Sequence, residues 1–181
     1  AQRLLSANDC RHGDATFYVQ VTRGAAPRAH YFPPAGTTPT IYATTSQSSP
    51  PTAAVRATGA GALTSPDIRW LRCDLKTLQL LPNVLGKQRA VSHGAVDTIF
   101  IRDGLVTEGT HTNVFAVVDG VIRTHPLGNL VLPGVTREVV LEVAVGLDLP
   151  VREEALTIEE LRRADELFLT GTTTDVLGIT R

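Results

Sequence analysis

AVDTIFIRDGLVTEGTHTNVFAVVDGVIRTH, residues 95–125, decides the fold. Asp103-Gly104 and Asp119-Gly120 each stand between apolar runs, the strongest short-range hairpin signal, because a two-residue turn of this kind needs two left-handed residues. The segment therefore predicts a meander of antiparallel strands. Upstream, Pro82 opens a predicted helix whose Leu81, Val84, Leu85 and Val91 share one face and which Gly94 ends. Downstream, PGVTREVVLEVAVGL (133–147) predicts a helix with Val139, Val140, Val143, Ala144 and Leu147 on its buried side. TIEEL offers a capping box, Thr157 with Glu160, for a second helix, and DELFLTGTTTDVLGI (165–179) reads as strand, turn, strand.

Nearer the N-terminus, AQRLLSAND reads as the tail of a helix. Thr16–Thr22 alternates apolar and polar residues as a strand does, and TIYATTS (40–46) and AAVRATG (53–59) look like two more. PRAHYFPPAGTTP and SQSSPPT are rich in turn residues and predict loops. Strands in runs with helices interspersed make the class α+β rather than a regular βαβ repeat.

The chain has 181 residues, 43% of them hydrophobic, and a net charge of −1. That length supports a real core. The near-neutral, mixed charge argues against nucleic acid and anionic membrane as partners. Two cysteines, Cys10 and Cys73, make neither a disulfide framework nor a metal cluster, so a reducing cytoplasm is expected and no metal site. The lack of any methionine, with ends that read as helix tail and strand interior, suggests a piece of a longer protein, truncated at both ends.

Several groups admit two readings. Lys76, in IRWLRCDLKTLQLLPN (68–83), is either a snorkelling surface lysine or an amine held between apolar walls, which would depress its pKa and make it nucleophilic. Glu108 is either a solvated turn residue or a functional carboxylate. Gly134, Val135 and Thr136 sit at a helix start, which favours a phosphate, although Thr136 could simply cap the helix. Gly171 and Thr172 offer backbone and hydroxyl donors in a Thr-rich turn that needs no ligand. Arg28 and His30 form either a carboxylate clamp or a solvated loop. Trp70, His93, His125 and the two cysteines read as packing or surface residues.

Taken together, a reactive amine, a carboxylate, two phosphate-binding turns and a carboxylate clamp are what pyridoxal 5′-phosphate and an amino acid require. The order VTRGAAPRAH, DIRWLRCDLKTLQLLPNVLGKQ, VTEGTHTNVF, LPGVTRE and ELFLTGTTTDV resembles the fold-type IV pyridoxal-phosphate enzymes across nearly the whole chain, and its PRAH segment resembles the D-amino acid branch. The resemblance implies Lys76 as the Schiff-base lysine and Glu108 as the partner of the pyridine nitrogen. It implies Val135, Thr136, Gly171 and Thr172 as cofactor-binding residues, and Arg28 and His30 as holders of the substrate carboxylate. Residues 1–50 would be the tail of a smaller N-terminal domain with the substrate-carboxylate loop, and 51–181 the larger, cofactor-binding domain. The implied activity is transamination between a D-amino acid such as D-alanine and a 2-oxo acid such as 2-oxoglutarate, in a homodimer. The alternatives are a branched-chain L-aminotransferase, an aminodeoxychorismate lyase, or an inactive fragment without cofactor. THTN stands where the family commonly has a serine-rich segment.

Overall fold

The computed structural model describes residues 1–180 and divides into two units, Ala1–Ser49 and a second beginning at Pro50. In the first unit, helix α1 (Gln2–Ala7) accompanies an antiparallel ribbon of β1 (Ala15–Val21) and β2 (Ile41–Gln47), with Tyr18 opposite Thr44. The buried Thr45 hydroxyl donates to Leu4 O at 3.2 Å and fastens helix to ribbon. Residues 22–40 form the loop between the strands, where the Arg23 guanidinium lies 4.0 Å from the Phe32 ring centre.

The second unit holds two sheets. One is ordered β3-β4-β5, from Ala62–Pro66, Asp97–Arg102 and Leu105–Val106. The other is ordered β10-β9-β6-β7-β8, from β6 (Asn113–Val118), β7 (Val121–Thr124), β8 (Val151–Glu153), β9 (Glu166–Gly171) and β10 (Asp175–Gly178). Helices α2 (Ala53–Thr58), α3 (Leu81–Ser92), α4 (Val135–Gly146) and α5 (Ile158–Arg163) are interspersed, and the class is α+β. The core gathers Ile99, Val106, Val114, Leu156 and Leu169, each burial contributing about 1.5–3 kcal/mol. On the opposite face of the larger sheet Phe115 stacks on Phe168 at 5.0 Å.

Both Asp-Gly turns form as expected, with φ of 52° and 79° at Asp103 and Gly104 and 50° and 75° at Asp119 and Gly120. The continuous meander does not. β4–β5 and β6–β7 are hairpins in different sheets, and the chain crosses over at 107–112. Each sheet also contains one parallel pair, β3 with β4 across α3 and β7 with β8 across α4. The capping box is present, Glu160 N donating to Thr157 Oγ1 at 3.1 Å and Thr157 N to Glu160 Oε2 at 2.8 Å.

Two further expectations are corrected, for AAVRATG and for the buried side of α4, and the direction of the α3 stripe, which the sequence left open, is set. AAVRATG is helix α2 rather than a strand: Thr52 Oγ1 accepts from Val55 N, Gly59 closes it at φ 71°, and its alanines favour helix. The apolar face of α3 points outward, with Leu81, Val84, Leu85 and Val91 all exposed, while Gly86 and Ala90 face inward. A Cβ on Gly86 would stand 2.9 Å from the Phe100 ring, so the closeness of helix to β4 depends on that glycine. Helix α4 likewise buries Arg137 and Ala144 and exposes Val139, Val143 and Leu147. In α3 only small residues lie inward and in α4 Ala144 does so beside the buried Arg137, while most of the apolar stripe lies on the other side of each helix.

Candidate active site

The crossover at 107–112 carries Glu108 and is approached by the start of α4 and by Gly171. Phe100 faces two residues instead of one: its N–H donates to Glu108 O (2.9 Å) and its carbonyl accepts from Thr107 N (3.0 Å). Such a bulge re-aims the side chains of its strand. Glu108 is therefore not a solvated turn residue; it is 6% exposed. Arg69 Nη1 donates to its Oε1, while Leu132 N (2.9 Å) and Asn113 Nδ2 (3.2 Å) donate to Oε2. Burial pushes the carboxyl up to about 7, against the pull of Arg69 and the Leu132 amide.

That shift has a signed consequence. The folded value lies above the ordinary 4.5, so the protonated form favours folding, and the contribution is complete below about 4.5 and lost as pH rises through 7. Removal of the titrating group by Glu108→Gln is expected to flatten the fall in unfolding free energy between pH 4.5 and 7 by roughly 3 kcal/mol at most. Chemical denaturation across that range checks it, and parallel curves for the two proteins would reject the assignment.

The loop bearing Glu108 is wound around Asp97, which is 1% exposed. Asp97 Oδ1 accepts from Thr98 N (2.8 Å), Thr110 N (3.2 Å) and the Thr110 hydroxyl, and Oδ2 from the Thr112 hydroxyl (2.7 Å). From this hub the loop reaches the other candidates. Asn113 Nδ2 also donates to Leu132 O at 3.0 Å, directly before the start of α4. A Cβ on Gly134 would fall 2.1 Å from Asn113 Oδ1, so only glycine allows this approach. A Cβ on Gly171 would meet His111 O at 3.4 Å and Thr112 Cγ2 at 3.5 Å, which sets the β9–β10 turn against the same loop.

Gly134 is the N-cap of α4 and no side chain caps the helix; Val135 and Thr136 are its first two residues, so Thr136 is not the cap. The first helical bond comes from Glu138 N, which leaves the earlier amides free of intrahelical partners. Thr172 is exposed in the β9–β10 turn. Two donor-rich turns thus adjoin the loop that carries one buried carboxylate.

Lys76 is exposed in the segment between β3 and α3, among the exposed Leu75 and Leu78 rather than between apolar walls. The segment is tied down on both sides of it. Upstream, Arg69 holds Glu108, Asn129 Nδ2 donates to Leu71 O (3.0 Å), and Cys73 N donates to Asn129 O (2.8 Å). Downstream, Asn83 Nδ2 donates to Thr110 O (2.7 Å). Lys76 lies within a span whose two ends are both anchored to the Glu108 loop. Arg28 and His30 are exposed in the 22–40 loop of the first unit.

Sequence reading missed Arg69, Asp97 and Asn113. Spacing alone did not mark them, since their importance lies in long-range partners. Asp97 carries the one available signal, a carboxylate at the head of an apolar strand run.

The comparisons with known proteins agree on one family. The model of the class IV amino-transferases matches residues 1–181. A D-alanine aminotransferase of Staphylococcus epidermidis is 44% identical over 180 residues, which are 99% of this chain and 63% of that protein. One from Bacillus licheniformis is 45% identical over 179 residues, covering 99% and 62%. The chain thus spans a little under two thirds of these relatives' length. Among solved structures, the Escherichia coli branched-chain amino acid aminotransferase superposes with a TM-score of 0.81 at 26% identity, over 98% of this chain and 60% of that one. The fold IV-transaminase CpuTA1 of Curtobacterium pusillum shares the fold, with a TM-score of 0.82 at 22% identity over 99% and 61%. With the family model covering the whole chain and relatives above 40% identity along it, the chain belongs to the class IV amino-transferases.

Proposed function

We propose that the protein carries the pyridoxal 5′-phosphate-binding part of an enzyme that transfers the amino group of a D-amino acid such as D-alanine to a 2-oxo acid such as 2-oxoglutarate, acting as a homodimer in the cytoplasm. The observation that carries the reading is the Glu108 loop: a buried carboxylate, with an uncapped helix start and a Gly-Thr turn drawn to the same loop. Identity above 40% to D-alanine aminotransferases supports the choice of substrate. Among the described residues no helix is long and apolar enough to cross a membrane.

The donor set fits the cofactor. Glu108 would hold a proton at the ring nitrogen, Val135 and Thr136 with Gly171 and Thr172 would hold the phosphate through amides and hydroxyls, and the Lys76 amine would carry the aldehyde carbon. When bound, pyridoxal phosphate supplies an electron sink for bond breaking at Cα. Lys76 would move the Cα proton, a general acid–base task for which an exposed amine on an anchored segment is suited. Arg28 and His30 would grip the substrate carboxylate and so select the face of Cα presented to the lysine.

In the full-length enzyme Arg28→Ala is expected to weaken D-alanine binding about ten- to a hundredfold, the worth of one charge-assisted hydrogen bond, while leaving cofactor affinity unchanged. Steady-state kinetics and cofactor titration on the same preparation check both halves. A full-length enzyme that prefers L-leucine would replace the D-amino acid reading with the branched-chain one.

A further inference from the structure

Behind Glu108 stands a second buried pair, Arg69 with Asp67. Arg69 and Asp67 have side chains 3% and 0% exposed. Asp67 takes one fork of the guanidinium, from Nε at 2.9 Å and Nη2 at 2.8 Å, and the remaining Nη1 is left for Glu108 Oε1. Arg69 Nη2 also donates to Leu130 O (3.1 Å), and the guanidinium lies 4.9 Å from the Phe100 ring centre. With this many fixed partners, Arg69 can aim Nη1 in one direction only.

Counting acceptor positions on Glu108 gives the consequence. A carboxylate has about four, two on each oxygen. Oε2 receives two donors, from Leu132 and Asn113, whereas Oε1 receives one, from Arg69. The free position is therefore on the oxygen that Arg69 holds. A ring N–H reaching Glu108 would share that atom with a guanidinium, so the cation acts directly on its basicity.

We propose that Arg69, oriented by Asp67, is a positioning residue that keeps Glu108 the weaker base of the pair it would form with a pyridine-type nitrogen, so that the nitrogen and not the carboxylate holds their shared proton. The inference rests on the reading of Glu108 as the partner of the cofactor's ring nitrogen. One proton is at issue and the balance is simple: N–H facing a carboxylate, or O–H facing a neutral nitrogen. The charged and titratable groups around Glu108 are Arg69 and Asp67, Arg102 from β4, which stands 3.1 Å from Asp67 Oδ1, and the Cys73 thiol, which burial pushes up. Arg69 alone of these cations bonds to Glu108. Burial pushes the carboxyl up while Arg69 holds it down, so loss of that cation tips the proton toward oxygen. Only the ring in its protonated form is a strong electron acceptor.

The test uses full-length holoenzyme loaded with pyridoxal phosphate labelled with nitrogen-15 in the ring, observed by NMR at pH 7. Wild type is expected to show the protonated-nitrogen resonance. Arg69→Met and Arg69→Gln are expected to move it to the neutral-nitrogen position, and Arg69→Lys, which restores charge, to return it at least in part. Arg69→Gln keeps a donor toward Glu108 and serves if the methionine variant does not fold. A protonated nitrogen in a folded Arg69→Met or Arg69→Gln protein would overturn the proposal. Glu108→Gln controls the underlying reading: if that variant keeps the wild-type signal, Glu108 is not the nitrogen's partner at all, an outcome separate from failure at Arg69.

Discussion

Replacement of Lys76 by alanine is expected to cost the full-length enzyme at least about 10²–10⁴-fold in transamination rate, the share that proton transfer by a positioned side chain contributes, with the loss of covalent attachment added to it. Lys87→Ala is expected to leave the chemistry in place, because the Lys87 ammonium is turned to Val96 O at the far end of α3. Two measurements separate them. Turnover of D-alanine with 2-oxoglutarate gives the rates, and borohydride reduction of the holoenzyme followed by peptide mapping finds the attached lysine. A label on Lys87, or on neither lysine, would remove Lys76 from the site.

The second large effect concerns stability. Asp97→Ala strips partners from two amides and two hydroxyls in a region where Thr98, Thr110 and Thr112 are all buried. Each stranded buried group costs about 1–3 kcal/mol, so even partial relaxation leaves a loss of at least about 3 kcal/mol. Thermal unfolding should fall by roughly 6–12 °C for a chain of this size. Asp97→Asn provides the contrast. Its oxygen can accept the Oδ1 bonds and its amide can donate to the Thr112 hydroxyl, so it should stay within about 1 kcal/mol of wild type. Equal stability of the alanine and asparagine variants would show that the loop is held by something other than these bonds. Because Glu108 rides on the same loop, the alanine variant should also bind pyridoxal phosphate less tightly.

How much of this was legible beforehand depends on the range of the interaction. The Asp-Gly turns and the Thr157–Glu160 box are set by residues three or fewer apart, and sequence reading found them. AAVRATG failed because its cap, Thr52, lay in a stretch read as loop, and alternation over so few residues does not separate strand from helix. The buried side assigned to α4 failed for another reason, and α3 shows the same effect. A period locates an apolar stripe but says nothing of what covers it, and Gly86 and Ala90 are too small to register as a buried face. At the candidate site, Lys76 and Glu108 were found by type and motif, whereas Arg69, 39 residues before Glu108, emerges only once β4 and the bulge bring them together.

The order of the larger sheet bears on how the chain folds as it is made. β6 carries the buried run Val114, Phe115 and Ala116, yet one of its two neighbours, β9, emerges roughly 50 residues later, or about 3–10 s at ribosomal speeds of about 5–20 residues per second. During that interval β6 has only its hairpin partner β7, and its other edge offers unpaired amides beside apolar side chains. The nascent chain in this window is open to edge-to-edge association, and slower translation between Val118 and Glu166 should raise the aggregated fraction.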